Sequence, residues 1–262
     1  MKTYTKRQIA TYIILLLLLI IRISNGELLL NFAYLLHISF PPTWAASLVA
    51  VHDCAYYLWT YWSFVAVGIV IVVNRDNLKD VNVDVYFLVI FICCGLAYSR
   101  YYFLPSGWLA VVISVAMAIL YIRRIHNLEK PNPNMGWIFL ILTIIFILSL
   151  LLARTTFTNA NLHMAIHTFV IETPLIALEE VVFRGLLWNF LDSLNWSAPK
   201  TIISQAILFW LSHAYFMFIS PIFFWFVVPI TGIILGILVW RFKSITPSMV
   251  VHIFINLYFT VA

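Results

Sequence analysis

The stretch ALEEVVFRGLLWNFL, residues 177–191, sets two adjacent carboxylates, Glu179 and Glu180, and one guanidinium, Arg184, in an otherwise apolar run. No face of such a helix suits water, so its setting must be apolar. The whole chain has the same character. Of 262 residues, 64% are hydrophobic and only 10% charged, where soluble domains carry roughly 25% charged residues. Mean hydropathy is +1.01. This excludes a globule with a wetted surface. It reads as an integral membrane protein, helical rather than barrel, because the apolar runs are long and do not alternate. The net charge of +5 then belongs to membrane-flanking loops and is no nucleic-acid signal. Cys54, Cys93 and Cys94 lie in apolar runs with no CxxC pair, and read as buried thiols. Lys2, Lys6 and Arg7 precede IATYIILLLLLII. No small-residue cleavage site follows cleanly, so this is expected to be an uncleaved first span.

A membrane span needs about 20 apolar residues. Nine stretches qualify or nearly so: 8–26, 50–73, 84–103, 107–122, 136–153, 163–191, 201–219, 222–240 and 247–262. Breakers such as PPTW, NRDNLKDVN, EKPNPN and NWSAPK separate them. The expected fold is therefore an all-α polytopic transmembrane helix bundle of about eight or nine spans. With the N-terminus cytoplasmic, one side holds Lys2, Lys6, Arg7, Arg75, Lys79, Arg123, Arg124, Lys130, Lys200, Arg241 and Lys243. The other holds Arg22, Arg100 and Arg154. That asymmetry sets the orientation.

An ionisable side chain at bilayer depth needs a partner or a role. At about 100° per residue, Glu180 and Arg184 are i,i+4 neighbours on one helix face and suit an ion pair. Glu179 points about 100° away, leaving one carboxylate free to face a cavity as a general base. A purely structural buried pair with a spare Glu is the alternative. The next span carries His213 near its middle, one turn after Phe209, and the last carries His252 and Asn256 at i,i+4. Helix rise puts Glu179, His213 and His252 in the middle or cytoplasmic half of the membrane.

These residues carry a resemblance. EEVVFR, then FWLSH, then HIFIN is similar to EExxxR, FxxxH and HxxxN/D, the three-part signature of the CAAX-protease and bacteriocin-processing (CPBP, or Abi) family of intramembrane glutamic endopeptidases, which includes the type II CAAX prenyl endopeptidases. The likeness covers roughly residues 165–262, so the chain divides into N-terminal segments 1–160 without a recognisable motif and a catalytic core at 161–262. It implies that Glu179 and His213 activate a water, that His252 and Asn256 stabilise the oxyanion, and that Glu180 and Arg184 support the site. A His and an Asn on one helix face offer two N–H donors to one point, as an oxyanion hole requires. Water must reach the site, so a polar cavity opening to the cytoplasm is expected.

Glu179, His213 and His252 would also make a chemically reasonable ligand set for zinc. No HExxH pair is present, and a zinc site would not need Arg184 or Asn256. The family resemblance implies metal independence, so no metal and no cofactor are expected. Other polar residues read more simply. His163 and His167 fall near the outer end of their span, away from Glu179. Glu172 precedes Pro174, which should kink the helix. His52 and Asp53 read as interfacial, and Gly232 and Gly236 as close helix packing. The leading reading is an endopeptidase acting on a membrane-associated peptide or protein within a cell membrane, as a multi-pass integral protein and in a prokaryote. A non-catalytic bacteriocin-immunity or scaffold protein of the same fold is the second reading, and a proton-relaying transporter the third. The intact set of six residues favours the enzyme over the scaffold. The lack of charges spread through both halves of the bundle disfavours transport.

Overall fold

The computed structural model describes residues 5–76, 78–101, 109, 111–116, 119 and 159–261. The expected span at 136–153 and half of that at 107–122 lie outside the described residues, as do the side chains of His163 and His167. The described residues are helical, with no strand among them. In chain order they form α1 (Lys6–Asn25), α2 (Leu28–Leu35), α3 (Pro42–Val73), a 3₁₀ turn (Leu78–Val81), α4 (Val85–Tyr101), α5 (Asn159–Glu180), a π turn (Val181–Leu186) and α6 (Leu187–Ser193). These are followed by α7 (Ala198–Leu211), α8 (Phe216–Ile219), a second π turn (Phe223–Val227), α9 (Val228–Phe242) and α10 (Thr246–Val261).

Local chemistry explains the helix ends that matter. Thr5 and Gln8 form a reciprocal capping box at the start of α1. Pro42 opens α3 at a position that needs no N–H donor. The Asn74 side chain donates to the Val70 carbonyl at 2.9 Å, closing α3, and accepts from the Thr11 hydroxyl at 3.3 Å. The start of α1 and the end of α3 are thereby held level.

Among the described residues, three helical stretches are long and apolar enough to cross a membrane: Lys6–Asn25, Pro42–Val73 and Phe223–Phe242. Their outward residues, among them Leu16, Leu17, Ile20, Ile230 and Ile237, are exposed. Such faces fit hydrocarbon and not water. Cys54 and Cys93 lie on exposed faces too, as free thiols, and not buried as expected. A small apolar thiol suits a lipid-facing position as well as a core.

Residues 159–193 run as one helical stretch through the centre of the bundle, packed by α1, α3, α4 and α10. Val181, Val182, Phe183, Arg184 and Leu186 are wholly buried. The π turn interrupts it just after the paired glutamates: Leu187 N–H bonds five residues back to the Val182 carbonyl. The Arg184 carbonyl instead accepts from the Asn82 side chain at 3.0 Å. Gly185 lies where a Cβ would come 2.8 Å from the Val81 carbonyl. Only glycine fits there.

The expected span 201–219 is not one helix. α7 stops at Leu211, and His213 lies in the turn beyond it. Ser212 explains the break, since its hydroxyl donates to the Phe209 carbonyl at 2.8 Å and competes for the helical acceptor. α9 packs on α7 through Gly232 and Gly236, where added Cβ atoms would sit 3.1 Å from Ala206 Cα and 3.2 Å from Ile202 Cγ2. The π turn before α9 precedes Pro229, which cannot donate a helical hydrogen bond.

Candidate active site

Four polar segments converge at the centre of the bundle. α5 contributes Glu179 and Glu180, the π turn Arg184, the turn after α7 His213, and α10 Ser248, His252 and Asn256. A fifth element, α1, contributes Arg22.

Glu180 is saturated. Arg184 Nη1 lies 3.4 Å from its Oε1, and His252 Nδ1 lies 2.9 Å from the same oxygen. The Ser248 hydroxyl donates to Oε2. Arg184 is itself fixed: its guanidinium lies over the Phe209 ring at 4.4 Å, and Nη2 approaches the Gly232 carbonyl at 3.5 Å. Glu180 thereby fixes the His252 ring, because a carboxylate can only accept from Nδ1–H. His252 Nε2 is left pointing at Glu179, 3.7 Å from Oε2.

Glu179 is not free, in contrast to the expectation. Its Oε1 is paired with Arg22 Nη2 at 2.7 Å. Helix periodicity correctly separated Glu179 from Arg184. It gave no hint of a second guanidinium arriving from α1. Arg22, expected as an outer-side charge, is buried and stacks over Trp59 at 5.3 Å. Glu179 Oε2 lies 3.9 Å from His213 Nε2 as well as 3.7 Å from His252 Nε2. Both spans are too long for a direct hydrogen bond and leave Oε2 room to hold a water.

His213 Nδ1 lies 2.7 Å from the Phe209 carbonyl. A carbonyl only accepts, so Nδ1 carries the proton and Nε2 presents its lone pair. That lone pair faces Arg22 Nη2 at 3.0 Å. Phe209 packs against both histidine rings, with centroids 4.4 Å from His213 and 5.5 Å from His252.

Glu179, His213, His252 and Asn256 line one cavity of about 640 Å³, together with Arg22 and Glu172. The lining runs from Glu179 through Leu175 and Glu172 on α5, through Asn25 on α1 and through Tyr56 on α3. These residues lead to the end of the bundle opposite Lys6. Toward the other end, Phe183, Arg184 and Phe209 form a wholly buried layer. The lining therefore extends from Glu179 toward the end of α1 that carries Asn25. His52, read as interfacial, pairs with Glu27 at 3.5 Å near that end.

The three residues weighed as zinc ligands do come together, but Arg22 Nη2 touches two of them and puts a positive charge where the ion would sit. Sequence reasoning missed Arg22, Ser248 and Asn82. Ser248 had a faint signal, being one helical turn before His252. Asn82 had none.

No curated protein and no solved structure matches this chain. Residues 166–258, which hold every one of the motif residues just described, match the family described as type II CAAX prenyl endopeptidase Rce1-like, and this part of the chain is an Rce1-like domain.

Proposed function

We propose that the chain is an intramembrane endopeptidase that hydrolyses a peptide bond in a membrane-associated peptide or protein, using Glu179 as the base. The Rce1-like match supports a CAAX-type membrane protease. The observation that carries the finer reading is the position of Glu179 Oε2, facing the Nε2 atoms of both His213 and His252 at one end of a cavity.

In this reading a water beside Glu179 donates to Oε2, while the His213 Nε2 lone pair stays on Arg22 Nη2–H and the His213 ring lines the water's place. Glu179 accepts one proton as the hydroxide oxygen attacks the scissile carbonyl. The carbonyl π electrons move to oxygen, and the oxyanion lies against His252 and Asn256, one turn apart on α10. The Nδ1–H of His252 stays on Glu180, so the ring keeps one orientation toward the oxyanion. Collapse of the intermediate breaks the C–N bond, and the proton held by Glu179 passes to the leaving amine. Glu180 and Arg184 act by fixing the His252 ring. An oxyanion donor of this kind is worth about 10²–10³ in rate.

We take the N-terminus as cytoplasmic, the bundle as having about eight or nine spans, and a prokaryotic cell membrane as its location, on the asymmetry of Lys and Arg between the loops. The N-terminal segments 1–160 are then distinct from a catalytic core at 161–262, to whose site α1 adds Arg22.

The test is cleavage in cells of co-expressed small membrane-anchored proteins, compared between wild type, Glu179→Ala and Glu179→Gln, with and without a metal chelator. Loss of cleavage in both variants at normal protein level, with wild type insensitive to chelator, is the expected outcome. Wild-type loss in chelator would instead point to a metal. Cleavage that persists in both variants would overturn the reading.

A further inference from the structure

We propose that Arg22, outside the family-matched stretch, is a positioning residue of this site that fixes Glu179 and His213 relative to each other. The inference rests on the hydrolytic reading above.

The terminal nitrogen Nη2 of a guanidinium carries two hydrogens. In this protein one points at Glu179 Oε1, 2.7 Å away, and the other at His213 Nε2, 3.0 Å away. One atom therefore ties the proposed base to its histidine partner. The tie also sorts the two carboxylate oxygens. Oε1 is taken by Arg22, which leaves Oε2 as the oxygen directed between the two Nε2 atoms.

The charges agree. Two buried carboxylates, Glu179 and Glu180, face two buried guanidiniums, Arg22 and Arg184. Without Arg22 the carboxylate of Glu179 would be buried without a close cationic partner, a strongly unfavourable state. Arg22 is held as a placed part. Its guanidinium lies over Trp59. One turn later Gly26 lets α1 touch the turn that carries His213, since a Cβ at Gly26 would overlap the Ser212 carbonyl. Lysine would be a poor substitute, because a single ammonium lacks the planar fork that reaches two acceptors at fixed angles.

The test uses full-length protein in detergent and two readouts. The first is a thermal-unfolding cycle with Arg22→Met, Glu179→Gln and the double variant. Arg22→Met should lower Tm, and the double variant should recover most of that loss, because the orphaned charge is gone. Additive effects of the two substitutions would overturn the pairing, and this readout needs no substrate. The second is cleavage of quenched fluorogenic peptides carrying one apolar anchor. Arg22→Met should reduce kcat about 10²-fold, the scale of a 1 Å misplacement. KM should stay within about threefold, since a positioning residue does not hold the substrate. Arg22→Lys should fall between wild type and Arg22→Met. If Glu179→Gln is inert while Arg22→Met keeps wild-type kcat or exceeds it, the Arg22 inference fails alone. If Glu179→Gln keeps its kcat, the hydrolytic reading fails.

Discussion

Each of the adjacent carboxylates has its own guanidinium, and the two pairs do different things. Arg184 and Ser248 hold Glu180 so that it can fix His252, whereas Arg22 holds Glu179 by one oxygen and leaves the other facing the histidines. Replacing Arg184 by Ala leaves Glu180 buried with one cationic partner fewer. Loss of about 3–5 kcal/mol is expected, the cost of breaking a buried pair from one side, and thermal unfolding measures it. Ser248→Ala removes one neutral donor from the same carboxylate and should cost about 1–3 kcal/mol, with a smaller Tm shift than Arg184→Ala. At this scale the Glu180–Arg184 pair was legible because the i,i+4 interval is a local code that helix geometry converts into contact. Arg22 was not. It lies 191 residues from His213, and a single arginine late in an apolar run looks like an ordinary interfacial charge. Only tertiary packing decides between the two.

Helix breaks and close approaches set the geometry of the elements. The π turn after Glu180 and the hydroxyl of Ser212 both divert helical hydrogen bonds, and each lies beside a motif residue. Hydropathy does not register either break, because the apolar run continues through both. The long runs themselves were legible as helices, and α1, α3, α4 and α10 start or end close to the expected limits. α2 was not expected, being too short to appear as a span. Gly236→Leu tests the α7–α9 contact. Its Cβ would meet Ile202 in a packed seam, and overpacking of that kind costs about 1–3 kcal/mol. Lower Tm and reduced cleavage are expected, since α7 leads into the His213 turn. An unchanged Tm would mean that the seam is loose.

For the whole molecule, the buried layer beside Arg184 and the lining from Glu179 to Asn25 give the cavity a direction. Asn25→Cys, in a chain with Cys54, Cys93 and Cys94 replaced, should react with a membrane-impermeant maleimide from the side opposite an N-terminal tag. Asp192→Cys should react from the tagged side. Labelling of position 25 from the tagged side would contradict the assigned cavity direction. Membrane character was legible from composition alone, because no arrangement of so apolar a chain gives a wetted surface. The cavity's direction was not, because it depends on which layers pack tightly. The most direct test of the central claim is kcat for purified Glu179→Gln against an anchored peptide that the wild type cleaves, with Tm measured on both proteins. The substitution keeps the side chain's shape and removes its basicity. A loss of at least about 10³-fold, in protein still folded at the assay temperature, is predicted, within the range of general-base contributions. Retention of kcat within about tenfold, less than that range, would contradict the assignment of Glu179 as the base.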